Sequence, residues 1–303
     1  MLYNFSSALM RATGDTKRPM YFMLIMGALK VVLSVVFIKL GLKVSAVGVA
    51  HLISHAIIAY MSISVILKSR HVYHYDIKKT RIYKKELGQI LFIGIPAGLQ
   101  QSMYSMANVV ITATVNAFGA AAATGLSIAN QYDGILYQIA VAPAHAATPY
   151  IAQNLGAKNI LRAKKSVWCS MGIAILFAGT LGALSAIFSP WLSSFMSKDP
   201  EVIKFSCEKM VLVSSTYFIC GINEIMNGTM RGYGKPIIPT VNTLLFMCAI
   251  RFPWVYVIFP HLPQSLTFLY LVWPIGWILA IVSNLIFYIP TERKFEREFK
   301  ENV

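Results

Sequence analysis

The apolar residues of this 303-residue chain fall into blocks of about 20, the length an α-helix needs to cross roughly 30 Å of hydrocarbon. No other feature narrows the fold so sharply. Backbone groups in lipid must be satisfied within a helix or a closed barrel, and these blocks lack the alternation of barrel strands. The expected fold is therefore all-α, a polytopic membrane helix bundle of about eight transmembrane helices. The predicted spans are Met20–Leu40, Val44–Leu67, Leu87–Asn116, Ala121–Asn154, Val167–Phe188, Met210–Thr229, Ile237–Ile258 and Leu266–Ile289. Pro143 and Pro149 in the fourth predict a kink or an interfacial turn. Composition agrees: 13% of residues are charged, against about 25% in a soluble domain.

Orientation follows from where the charge lies. Of the 27 Lys and Arg residues, 20 fall in alternate polar segments on one side: Arg11 to Arg18, Lys68 to Lys85, Lys158 to Lys165, Arg231 and Lys235, and Arg293 to Lys300. Lys39, Lys43, Lys198, Lys204 and Lys209 fall on the other side. By the positive-inside rule both termini are cytoplasmic, in a multi-pass protein of the plasma membrane. The net charge of +15 is thus topogenic, and the partner it implies is the lipid bilayer rather than nucleic acid. The opening residues have no basic region followed by an apolar one, so no cleavable leader is expected. The four cysteines have no CxxC spacing and read as free thiols.

Residues 68–86, KSRHVYHYDIKKTRIYKKE, form the one long polar connection and read as a basic cytoplasmic linker. They separate residues 1–67, with two spans, from residues 87–291, with six, and residues 292–303 read as a cytoplasmic tail. An internal echo crosses that division. Residues 8–19 read ALMRATGDTKRP and residues 228–239 read GTMRGYGKPIIP, aligning Met10-Arg11 with Met230-Arg231, Gly14 with Gly234 and Pro19 with Pro239 at an offset of 220. Each copy is a helix end and a basic turn followed by apolar spans, and repeated membrane halves are a hallmark of transporters.

With ALMRATGDTKRP stand three further stretches: GIPAGLQQSMYSMANVVITATVNAFGAAAATGLSIANQYDGILYQIA, AATPYIAQNLGAKN and INEIMNGTMRGYGKP. In these the chain resembles the multidrug and toxic compound extrusion (MATE) family over nearly its whole length. The resemblance implies two six-helix lobes in the complete protein. This chain would supply spans five to twelve, a whole C-lobe and the end of an N-lobe, and the missing N-lobe helices would be required for activity. It further implies export of small organic, cationic compounds by H⁺ or Na⁺ antiport, with no cofactor beyond the coupling ion. The chain departs from the family pattern at Lys30 and Ser34, where relatives commonly carry Asn and Asp, and at Tyr104, where one branch carries Glu.

Single residues sharpen the expectation. Asp133 lies about 18 Å into its span and Glu224 about one and a half turns from a cytoplasmic end. A lone carboxylate in hydrocarbon costs several kcal/mol, so each must face a cavity, take a proton or pair, for instance with Arg251. Both are candidates for cation or proton coupling, and the family commonly carries a carboxylate at both places. Lys30 and Arg251 read as structural charge partners. Gln100, Gln101, Tyr104, Asn108, Asn130 and Tyr137 read either as polar glue between helices or as the lining of a substrate cavity. His51 and His55 have i, i+4 spacing but no third ligand, so no metal site is expected. Gly228–Lys235 fails the phosphate-loop spacing, and no nucleophile–base pair stands out, so an enzyme is not expected. The alternative function is a lipid-linked oligosaccharide flippase of the related superfamily, whose cavities tend to carry several basic residues.

Overall fold

The computed structural model describes residues 2–43, 45–68, 81 and 83–300. Among them all regular structure is helical, and the chain divides into unit 1, Met1–Leu87, and unit 2, Gly88–Val303. Most of the stretch read as a linker, residues 69–80 and 82, lies outside the described residues.

Unit 1 holds α1 (Leu2–Ala12), α2 (Lys17–Lys39) and α3 (Ser45–Lys68). Its core is small: Tyr3, Met10, Phe22, Ile58 and Ile66 are buried together. Most other apolar side chains of α2, among them Leu24, Val31 and Val32, point outward. A water-soluble helix pair could not leave that surface exposed, whereas lipid solvates it.

Unit 2 begins within α4 (Lys84–Asn116) and continues through α5 (Ala120–Gly156), α6 (Ile160–Ile187) and the short α7 (Ser189–Ser194). It goes on with α8 (Pro200–Lys209), α9 (Tyr217–Gly232), α10 (Ile237–Asn242), α11 (Arg251–Pro253), α12 (Leu266–Tyr270) and α13 (Val272–Lys300). Among the described residues, five stretches are long and apolar enough to cross a membrane: Lys17–Lys39, Ser45–Lys68, Ile160–Ile187, Ile237–His261 and Leu266–Glu298. The longer α4 and α5, with 33 and 37 residues, carry the polar residues of the cavity described below.

Three expectations change in detail. The sixth span does not start at Met210: a helix already runs from Pro200 through α8 and a π-helical stretch, Met210–Ser214, toward α9. Lys209 therefore lies about 14 Å inside a helix rather than at its mouth. The seventh span is not regular, since π-helical turns at Thr243–Ala249 and Trp254–Ile258 flank Pro253, which has no N–H to continue an α-helical ladder. No interfacial turn directly follows Pro143 or Pro149, since both lie inside α5, which is helical through Gly156.

Small residues bring these helices close. A Cβ built on Gly125 of α5 would lie 2.8 Å from Phe205 Cβ and 2.9 Å from the Ser206 nitrogen on α8. Close backbone approach of this kind is what small residues provide in membrane bundles.

The sequence echo is also a geometric one. Gly14 and Gly234 both have positive φ, 90° and 74°. Gly14 N–H donates to Arg11 O (3.1 Å) and Asp15 N–H to Met10 O (2.9 Å). At the offset positions Gly234 N–H donates to Arg231 O (3.0 Å) and Lys235 N–H to Met230 O (2.9 Å). Both are Schellman closures of a helix end, and a left-handed glycine is what that closure demands. Met10 and Met230 are fully buried in their own units.

Candidate functional site

A cavity of about 530 Å³ lies within unit 2, walled by α4, α5, α8, α9 and the start of α13. Asn130 and Asp133 share a face of α5 at i, i+3 spacing and turn toward α8. There Lys209 Nζ lies 2.8 Å from Asp133 Oδ2 and also donates to Asn130 Oδ1. Ser214 Oγ donates to Asp133 Oδ1 (3.4 Å), and the Tyr217 hydroxyl donates to the Asp133 carbonyl oxygen (3.3 Å). The partner of this carboxylate is thus Lys209, where the sequence suggested Arg251.

Arg251 is 2% exposed and donates to Asn108 Oδ1 on α4. Its guanidinium lies 4.9 Å from the Tyr104 ring centroid and 5.2 Å from that of Trp273. Lys209 lies 5.2 Å from the same Trp273 ring, so one indole at the cavity wall meets two cations. Among the described residues no carboxylate comes within ion-pair distance of Arg251.

Glu224 enters the cavity from α9, and Asn227 and Arg231, one and two turns further along the same helix, line it too. From Asn227 a buried ladder runs sideways: Asn284 Nδ2 donates to Asn227 Oδ1 (2.9 Å), Asn242 Nδ2 to Asn284 Oδ1 (2.8 Å), and Ser283 Oγ to Asn242 Oδ1 (2.8 Å). Each amide is satisfied by the next, which fixes α9, α10 and α13 together.

At the basic end of the unit α13 continues past its apolar stretch. Lys164 of α6 pairs with Glu292 (3.3 Å) and Glu296, and the Tyr288 hydroxyl donates to Glu292 Oε1 (2.7 Å). Tyr233, in the turn after α9, packs on Tyr288 and Phe295, and burial pushes its phenol up to about 12. Residues 292–300, read as a tail, are thus a helical extension of the last span.

Of the residues singled out by sequence, Tyr104, Asn108, Asn130, Asp133, Tyr137 and Glu224 line this one cavity. The side chains of Gln100 and Gln101 lie outside the described residues, and Lys30 belongs to unit 1. Tyr132 turns elsewhere and donates to the Leu192 carbonyl (2.7 Å). The His51 and His55 rings lie against each other, centroids 4.0 Å apart and tilted by 38°. Sequence reasoning missed Lys209, Tyr217, Asn227, Arg231, Trp273 and Trp277 as cavity residues. The i, i+4 spacing of the two tryptophans was the signal available for them. Lys209 looked like an interfacial lysine only because the apolar block begins one residue later.

A membrane helix bundle enclosing a solute-sized cavity lined by opposed charges has the architecture of a membrane transporter. The chain belongs to the MatE family, whose model matches residues 96–257, and that family consists of transporters, not enzymes. It is 25% identical over 269 residues to the probable multidrug resistance protein YoeA of Bacillus subtilis (strain 168), covering 85% of this chain and 57% of that protein. To the probable multidrug resistance protein NorM of Thermotoga maritima it is 23% identical over 291 residues, covering 93% of this chain and 60% of that protein. Its fold matches an outward-facing multidrug resistance MATE family transporter of the MOP superfamily with a TM-score of 0.87 at 16% identity, covering 97% of this chain and 66% of that one. The chain thus spans less than two thirds of the length of these proteins.

Proposed function

We propose that this chain is the C-terminal part of a secondary active exporter that expels small organic compounds by H⁺ or Na⁺ antiport and alternating access. Residues 87–291 act as the C-lobe and residues 1–67 as the end of an N-lobe, with further N-lobe helices needed for activity. Both termini face the cytoplasm. The observation that carries the reading is the placement of Asp133 and Glu224 on the walls of one cavity in a family of transporters. A cation or proton that binds one facing state better than the other shifts the equilibrium between them by that difference alone. Asp133, tied to Lys209, offers such a difference, because a proton or cation must compete with the lysine.

The test is Asp133→Asn in the protein completed by the missing helices and reconstituted in proteoliposomes. Asn keeps the size and much of the hydrogen bonding but cannot change charge. Ion-driven uptake is expected to vanish while solute binding stays measurable, and near-normal antiport at matched expression would remove Asp133 from the mechanism. Glu224→Gln, assayed in parallel, separates the two carboxylates.

The flippase reading gains one observation: Lys209 and Arg231 line the cavity and Arg251 sits against its wall, more positive charge than the sequence led one to expect. The resemblance to multidrug exporters implies a cationic solute, and that surplus bears on the point directly.

A further inference from the structure

Two carboxylates, Asp133 and Glu224, reach the cavity, and three cations reach it or press on its wall. Asp133 is taken up by Lys209 at 2.8 Å. Glu224 shares α9 and the cavity lining with Arg231, two turns further along. That leaves Arg251, 2% exposed, with only an amide oxygen and two aromatic rings for company among the described residues. An uncompensated charge away from water is expensive, and hydrogen bonds and aromatic rings offset only part of that cost. The wall in front of Arg251 is Tyr104, Asn108 and Trp273, with Trp277 one turn further along α13. It therefore combines flat aromatic surface with an excess of positive charge.

Resting on the reading of this cavity as the solute site, we propose that its preferred solute is a flat aromatic compound bearing an anionic group, phosphate or carboxylate. The anion sits on the Arg251–Lys209 side of Trp273 and the ring lies on the tryptophan and tyrosine faces. A cationic solute would instead face the field of a buried guanidinium that no carboxylate among the described residues offsets, since Asp133 is already paired with Lys209. Arg251 lies behind this wall, so the anion supplies its counter-charge across Asn108 and Trp273, while Lys209, which spends two of its three N–H groups on Asp133 and Asn130, donates to the anion directly.

The experiment uses the 303-residue chain in detergent and follows tryptophan quenching, since Trp273 and Trp277 line the cavity. The probes share one ring and differ in charge: 1-naphthyl phosphate, 1-naphthol and trimethyl(1-naphthyl)ammonium, with farnesyl phosphate as an anion without an aromatic ring. Naphthyl phosphate is expected to bind at least about tenfold more tightly than each of the others, the scale of one charge-assisted hydrogen bond. Arg251→Gln is expected to erase that preference, and Arg251→Lys to keep most of it. The ligand series on the unaltered chain decides the matter even if a variant fails to fold. Tightest binding by the ammonium probe, or no preference between phosphate and naphthol, overturns the anion assignment. Farnesyl phosphate binding as tightly as naphthyl phosphate overturns the proposal through its ring half and favours the flippase reading. These outcomes are separate from loss of the exporter reading, which would appear as absence of ion-driven transport of any solute by the completed protein.

Discussion

At the scale of single residues the decisive contact is Asp133 with Lys209, an ion pair whose lysine is 2% exposed. Removing one partner of a buried pair strands the other, which is costlier than removing both. Lys209→Met should lower stability by about 3 kcal/mol, read as a fall in the thermal unfolding midpoint in detergent. The double variant Asp133→Asn, Lys209→Met should recover most of the loss; a double variant no better than the single one would mean that the pair is not coupled. This contact also marks the boundary of what could be read beforehand. Asp133 and Glu224 were legible because a carboxylate inside an apolar block has no innocuous explanation. Lys209 was not, because a lysine at the edge of such a block usually snorkels to the headgroups, and only the preceding helical turns carry it inward. Arg251 was legible as buried, but its attachment to Asn108, Tyr104 and Trp273 depends on three helices distant in sequence.

At the scale of elements, hydropathy located the apolar helices, five of them among the described residues long and apolar enough to span, because it reports on lipid, and lipid fixes length. It could not report where a helix departs from α geometry. The π-helical stretches begin just after Lys209 and end just before Ile250-Arg251, so the two cations that flank Trp273 both sit beside under-wound turns. Such turns are frequent at functional sites, where they re-aim a side chain that regular spacing would misplace. The contact between α5 and α8 that holds Asp133 and Lys209 together depends on Gly125. Gly125→Ala would force a methyl group against Phe205 and the Ser206 backbone, overpacking that costs about 1–3 kcal/mol. The expected sign is a lower unfolding midpoint with unchanged helix content by circular dichroism; an unshifted midpoint would mean that the helices separate freely. The glycines of the echo were visible in sequence as matching letters, and their left-handed backbone gives the match its physical cause.

At the scale of the whole molecule, orientation is the first thing to test. In a cysteine-free background, the Lys158→Cys protein should react with an impermeant reagent only from the cytoplasm, and the Asp199→Cys protein only from outside. Labelling of Lys158→Cys in intact cells would reverse the topology. The second test is completeness. The 303-residue chain alone should give no ion-driven efflux in proteoliposomes, and the same chain extended by the missing helices should give it. Robust efflux by the shorter form would show that residues 1–303 suffice.

The last helix has a mechanical consequence. Trp273 stands at one end of α13 on the cavity wall, Glu296 stands near the other against Lys164, and Asn284 is held between them by the amide ladder. At 1.5 Å per residue the two arms measure about 16 Å and 18 Å. That is a lever with its fulcrum close to the middle, in one continuous helix that includes Pro290. If α13 pivots as a rigid body at Asn284, an outward displacement of Trp273 carries the Glu292–Glu296 segment the opposite way by a similar distance. Whatever displaces Trp273 would then be felt at the basic end of the bundle, where Lys164 holds Glu292 and Glu296.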